Sequence, residues 1–581
     1  MRTIAESRSR LPNVPGLLAL LAMLLGSCAT TTEPAAVRDG PGAWTDGPLA
    51  VTRCGALRGR ADESDTWSWK GIPYAAPPVG DLRWRAPREP APWTGVRDAS
   101  RFASRAVQFR VVGCGTTGSE DCLYLNVWRP RGTETGLPVY VWIHGGGNSI
   151  GAADMVPDYF GHRVASASRV VFVSVNYRLG PFGWLALPAL REGVSAEEDS
   201  GNFGTLDLVR ALAWIRDNVE AFGGDPRTVM ISGESAGGMN VLSLIASPLA
   251  RGLFQRALVQ SGVAKTTPMD QAEARAEEML AQLLVRDRRA RDAVDAAGVA
   301  AAMSDAEIRA YLRGTSAGRI LARFEDRMFG MSDSPTLFRD GTVLPADGYR
   351  ALETGAYGSR VPLVIGSNAD EIKMFRAFDR SIDWASGVYH ASSRYASDLW
   401  KAASVDAVAR RLLSHADQPP VYAYYFRWGA LRDDGTSVLP KSWGRRLGSF
   451  HSLEIPFFLG TDTVNGVMQW FLYTRRNEPG RLALSAAMMA AIAHFIRTGD
   501  PNGPGAPAWA AWSNEPGGPR SLVLDADERR ALIAMSTVEY TREAAEKALR
   551  AAVAPADADA IVAEPAMLGS DFEPDVPTEW P

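Results

Sequence analysis

Histidine and cysteine are scarce in this chain, six and four among 581 residues, and none of them falls in a metal-binding spacing such as H-E-x-x-H or paired C-x-x-C. Neither sign of charge dominates, since 62 Lys and Arg face 66 Asp and Glu for a formal net charge of -4. With no basic field and no Arg/Lys cluster, nucleic acid is not an expected partner. There is no internal repeat, no heptad run and no stretch that reads as an interdomain linker, so the length is taken as one large domain. What the chain does have is apolar material, 46% of its residues, enough for a sizeable core.

The N-terminus reads as a processing signal rather than as fold. Arg2, Arg8 and Arg10 make a positive region, and Leu17 to Leu25 (LLALLAMLL) is an apolar core too short to span a bilayer. The tetrapeptide LGSC that follows resembles the lipobox of bacterial lipoproteins, which implies acylation of Cys28 and attachment to a membrane; cleavage and release is the alternative. Either way the chain is expected to be exported, to the periplasm or outer membrane as a lipoprotein, or secreted. The expected organisation is residues 1–28 signal, 29–47 a polar Gly/Pro-rich tether, 48–540 the folded domain, and 541–581 a helix with a solvated acidic tail. With Cys28 acylated, Cys54, Cys114 and Cys122 remain. Cys114 and Cys122, nearest in sequence, are the expected disulfide, against three buried thiols.

The chain is organised around Thr228 to Ile245, TVMISGESAGGMNVLSLI. Val229 to Ile231 suits a buried strand, Ala236 to Ile245 suits a helix, and Ser235 stands at the turn between Gly233 and Gly237. Such a turn exposes the hydroxyl and aims the helix's unpaired N–H groups and positive end at an incipient oxyanion. Upstream, the strand-like VYVWI from Val139 to Ile143 runs into His144, Gly145, Gly146 and Gly147, a pattern that supplies backbone donors to the same place.

Further motifs extend this pattern: GIPYAAPPVG, PWTGV, SEDCLYLNVW from Ser119, VSVNYRLGPFGWL from Val173, and GNFGTLDLVRALAWIRDNVEAFGGDP from Gly201. Together with HGGG and GESAGG they resemble the type-B carboxylesterase and cholinesterase family from about Val51 to Trp512. The resemblance implies an α/β-hydrolase fold, a large twisted and mostly parallel sheet flanked by helices. The charged, periodic stretch Asp270 to Arg323 is expected as helices inserted over the strand ends. Arg83 with Glu120, and Arg178 with Asp207, would be buried scaffold ion pairs by the family pattern.

A serine hydroxyl needs an imidazole to take its proton and a carboxylate to orient that imidazole. Four histidines follow Ser235. His494 lies in an apolar helical run, His415 after RRLLS, and His390 in a polar stretch read as loop. His451, in GSFHSLEIPFFLG, matches the family's base-bearing motif. The acid should follow VPLVIG, where SNADEI offers Asp370 and Glu371; the family's acid is the second, Glu371, although Ile372 stands where the family has glycine. The resemblance assigns the oxyanion amides to Gly146, Gly147 and Ala236. His144 is expected to orient its loop, and Glu234 and Ser261 to lie beside the site.

These residues imply ester cleavage through an acyl-serine intermediate, with no metal or organic cofactor and a small-molecule ester as partner. A choline ester is disfavoured, because choline-selective relatives place a tryptophan in the loop where this chain has GTTGSED. An apolar acyl group or a hydrophobic alcohol is expected. Two other readings stand beside this one: a lipase acting on aggregated esters, and a non-catalytic binding protein of the same family.

Overall fold

The computed structural model describes residues 40–379, 381–440, 442–563 and 570–572. The expected signal segment, Cys28 and most of the tether lie outside the described residues. Runs such as LPVYVWI, VFVSV and VYAYYF carry almost no polar residue, and each becomes a strand buried on both faces, as a helix-covered parallel layer requires.

Eleven strands form one sheet. In chain order they are β1 (Arg60–Asp62), β2 (Thr66–Pro73), β3 (Tyr124–Pro130), β4 (Leu137–Ile143), β5 (Val171–Val175), β6 (Gly224–Glu234), β7 (Arg256–Gln260), β8 (Leu363–Asn368), β9 (Val421–Phe426), β10 (Ser521–Ala526) and β11 (Ala531–Ser536). Their spatial order is β11-β10-β9-β8-β7-β6-β4-β5-β3-β2-β1. Strands β5, β4 and β6 to β10 run parallel. At one edge β11 pairs antiparallel, and at the other so do β3, β2 and β1. This is the α/β-hydrolase fold that the sequence implies. Ahead of the sheet, Leu49–Thr52 pairs with Gly55–Arg58 as an N-terminal hairpin.

Helices α1 (Phe203–Asn218) and α2 (Ala236–Ala246) pack on the sheet, and α3 (Met269–Arg286), α4 (Ala293–Ala302) and α5 (Asp305–Gly314) form the expected insertion. The insertion has its own core, in which Met279, Leu283 and Leu312 meet Phe182, Leu185 and Leu187. Then come α6 (Gly387–Lys401), α7 (Glu478–Thr498), α8 (Arg542–Ala552) and α9 (Pro555–Ala563). Among the described residues one helix, α7, is long and apolar enough to cross a membrane. It lies instead against β10 and β11 with Leu484, Met488, Ile492, Phe495 and Ile496 buried. The two scaffold ion pairs form: Arg83 Nε donates to Glu120 at 2.6 Å, and Arg178 Nη2 to Asp207 at 2.6 Å.

Three expectations are corrected. Cys114 and Cys122 are not bonded to each other. A small hairpin of Gln108–Phe109 and Thr116–Thr117 carries Cys114 to its exposed turn, while Cys122, ahead of β3, is buried in the main core. The tether does not extend to residue 47, because Trp44 is buried edge-on to Trp69, with the Arg129 guanidinium 4.0 Å from its ring centre. The C-terminal stretch is not all solvated either: Pro555–Ala563 is helix, and Asp571 is buried.

Candidate active site

The parallel strands all point their C-terminal ends to one side, where an α/β sheet presents its ligands. At the end of β6, Ser235 takes φ 58° and ψ −124° before α2 begins. A non-glycine residue in this region is strained, and packing holds it there. The serine amide donates to Gln260 O at the end of β7 at 2.9 Å, and the flanking glycines let strand and helix close up. A Cβ on Gly237 would stand 2.1 Å from Ile143 O, and one on Gly233 would stand 2.4 Å from the Gly237 carbonyl carbon.

Beyond β4 the chain turns through Gly146 at φ 107°, where a side chain would meet Ile150 O at 2.3 Å. Among the described residues, the amides of Gly146 and Gly147 donate to no other group. The loop is pinned from behind. Tyr177 stacks on His144 with ring centres 4.6 Å apart and donates to His144 O at 2.9 Å, and the amides of Asn148 and Asn240 bond each other. Burial lowers His144 to about 4, so it stays neutral, and its Nδ1 sits 2.9 Å from Gly145 O. It therefore orients the loop, as expected.

The imidazole of His451 is buried between acids. Its Nδ1 donates to Glu371 Oε2 at 2.6 Å, and Glu371 Oε1 accepts the Asn368 amide at 2.7 Å. Asp370 turns the other way, to the Ser449 amide and, at 2.7 Å, to Lys373. Ile372 sits at φ −69° and ψ −22°, ordinary helical backbone, so the glycine of the family pattern is not needed here. The other ring nitrogen, Nε2, lies 3.1 Å from Glu234 Oε1 but out of line for a hydrogen bond, and both atoms lack one. Glu234 immediately precedes Ser235, so Nε2 lies beside the elbow, and no hydrogen bond joins it to the Ser235 hydroxyl.

Three neighbours of this pair escape sequence reasoning: Glu454, Trp400 and Phe375. Glu454, fully buried, accepts from Ser261 Oγ at 3.2 Å and from Asn368 Nδ2. Ser261 thus meets the imidazole's surroundings through Glu454, whereas Glu234 approaches the ring directly. Trp400 and Phe375 wall the imidazole with ring centres 5.0 and 5.3 Å from it. Burial raises Glu234 to about 7 and Glu454 to about 8, the latter helped by its fellow carboxylates. Burial works against an imidazolium at His451, but the charges of Glu234 and Glu371 outweigh it and raise the group to about 9.

The remaining C-terminal histidines lie elsewhere. His390 is on α6 rather than in a loop, the His415 ring bonds Leu352 O, and the His494 ring bonds Pro504 O. No cluster of metal-binding side chains occurs among the described residues.

A serine on a cramped strand-to-helix turn, facing amides from the neighbouring strand at the same sheet edge, is the arrangement of α/β-hydrolases that act through serine. Within that class, the sequence model of the carboxylesterase family matches residues 46–387 and 379–536, and the chain belongs to that family. It is a carboxylic ester hydrolase. It is 32% identical over 509 residues to the para-nitrobenzyl esterase of Bacillus subtilis (strain 168), a match covering 82% of this chain and 95% of that protein. To the phenmedipham hydrolase of Pseudarthrobacter oxydans it is 32% identical over 502 residues, 80% of this chain and 92% of that one. A crystal structure of a Geobacillus stearothermophilus carboxylesterase superposes with TM-score 0.66 at 28% identity, covering 87% of this chain and all of that chain.

Proposed function

We propose that Ser235, His451 and Glu371 are the charge relay, with Gly146, Gly147 and Ala236 as oxyanion donors. Ser235 Oγ attacks the ester carbonyl while His451 Nε2 takes its proton, and Glu371 steadies the resulting imidazolium. The carbonyl oxygen becomes an oxyanion against the three amides. As the tetrahedral adduct collapses, the alkoxide leaves with the proton from His451. Water, deprotonated by the same nitrogen, then releases the acid from acyl-Ser235. Glu234 and Glu454 supply negative charge that stabilises the imidazolium, and so set the pH at which the base is free.

The observation that carries this reading is the buried Glu371–His451 bond, with Nε2 3.1 Å from the side chain of Glu234, the residue before Ser235. A fluorophosphonate probe tests it. One equivalent should label the protein, and Ser235→Ala should abolish both labelling and turnover of an aryl ester; labelling that survives the substitution sinks the assignment. Because the Bacillus subtilis relative is named for para-nitrobenzyl esters, these are the first substrates to try.

The same proposal extends to location: residues 1–28 direct export, and acylated Cys28 holds the enzyme at a membrane. Cys28→Ser should release it from the membrane fraction and abolish incorporation of labelled palmitate. An unchanged distribution would refute the anchor.

A further inference from the structure

A cavity of about 450 Å³ opens beside the oxyanion loop. It touches the site at Gly147 and at Met239, one helical turn past Ser235, and continues past Val263 to Lys265, Arg275 and Arg327. His451, Glu371, Phe375 and Trp400 are not in its wall. Where it meets the site the wall is apolar, at Gly147 and Met239, and the lining also carries three cations, with Asp333 its one acid. That acid is occupied: it accepts the Glu325 amide at 2.8 Å and Arg275 Nη2 at 3.3 Å.

Lys265 differs from its neighbours. It is half-buried, and among the described residues no group accepts a bond from its ammonium. Burial lowers its pKa, and the acid that counteracts this is Asp571. Asp571 is itself fully used, accepting from the amides of Thr266 at 2.9 Å and Tyr349 at 2.8 Å, and from Arg339 Nη2 at 2.8 Å. A half-buried ammonium without a partner is costly, and an anion on a ligand would offset that cost.

The chemistry fixes which half of the ester enters. The leaving alkoxide must take its proton from His451, so it lies on the imidazole side of the acyl carbon. The acyl carbon stays on Ser235 with its oxygen at Gly146 and Gly147. The cavity meets the site at that loop, through Gly147, so it is the space offered to the acyl chain.

Resting on the Ser235 reading, we propose that the cavity is an acyl site for anionic acids: the enzyme cleaves esters whose acid half carries a second, ionised carboxylate, and that carboxylate pairs with Lys265. This departs from the apolar acyl group expected of the sequence, and places the hydrophobic half of the substrate on the alcohol side instead.

Two 4-nitrophenyl esters with five-carbon acyl chains separate the cases, the hydrogen glutarate and the valerate. The wild-type enzyme should favour the glutarate in kcat/KM. Lys265→Met should lower the glutarate-to-valerate ratio about tenfold, through KM on the glutarate, and Lys265→Arg should keep most of it. Fluorophosphonate labelling of each variant shows that its site is assembled. A ratio unchanged by Lys265→Met in a labelled enzyme overturns the anion site and leaves the Ser235 mechanism standing. Failure of the wild type to cleave either ester or to take the probe overturns the mechanism and the anion site together.

Discussion

His451 is the residue through which most of the site's electrostatics pass. Burial alone would keep its imidazole neutral, yet Glu234 and Glu371 raise it to about 9. On the proposed charge relay His451 must be unprotonated to accept the Ser235 proton, so kcat/KM should climb with pH up to the titration of His451 and level off above it. Glu234→Gln removes one of the three carboxylates that favour the cation while leaving the burial intact. The limb should therefore move to lower pH, by about one unit or more. The pH profile of kcat/KM for a neutral aryl ester checks this, and an unmoved or alkaline-shifted limb would show that Glu234 does not face the working imidazole. At this scale the sequence is readable where one contiguous motif carries both the residue and its backbone, as at Ser235 and Gly146. It is readable at His451 and Glu371 only through resemblance. Glu454, Asn368, Trp400 and Phe375 are not readable, because a buried carboxylate or ring acquires its role from partners far away in sequence, and nothing local records that contact.

The elements explain why the elbow tolerates so little. Strand β6 and helix α2 approach so closely that Gly237 faces the carbonyl of Ile143 on β4. The obstacle is backbone within the sheet, so it cannot rotate away as a side chain would. Gly237→Ala should cost about 2–3 kcal/mol in overpacking and displace Ser235 enough to lower kcat at least ~100-fold. Gly298, exposed on α4 with open space where a Cβ would stand, makes the contrast. There alanine removes backbone freedom from the unfolded chain and should stabilise the helix by about 0.5–1 kcal/mol without touching kcat. Denaturation midpoints and steady-state rates on both variants decide it; equal behaviour of the two would mean that packing at the elbow is looser than the distances indicate. Strands are the easiest elements to read, since two-sided burial leaves uninterrupted apolar runs. VYAYYF is such a run as well and lies within the sheet as β9, whereas His390 reads as loop because α6 is amphipathic and mostly polar on its outer side.

Over the whole molecule, composition points to one domain and a buried parallel sheet, but it misjudges both ends of the chain. Low hydropathy and abundant Gly, Pro, Asp and Glu read as solvated segments, whereas single residues in them dock: Trp44 at one end and Asp571 at the other. Asp571 is the more consequential. It joins three segments distant in sequence, receiving bonds from Thr266, Arg339 and Tyr349, and so holds the stretch that leads from Ser261 through Lys265 into the insertion. Its loss would leave two buried amides without acceptors and the Arg339 guanidinium, partly exposed, without its carboxylate. That combination costs about 2–4 kcal/mol. In a domain of this size the unfolding entropy is on the order of 1 kcal/mol per degree, so Asp571→Ala should lower Tm by only about 2–4 °C. The local consequence should be larger than the global one: amide exchange should accelerate at 264–267 and 348–350 while the central strands β4, β6 and β7 keep their protection. Hydrogen exchange followed by mass spectrometry separates this from general destabilisation, and uniform acceleration across the sheet would show that the tail supports the whole fold rather than this one wall of the cavity.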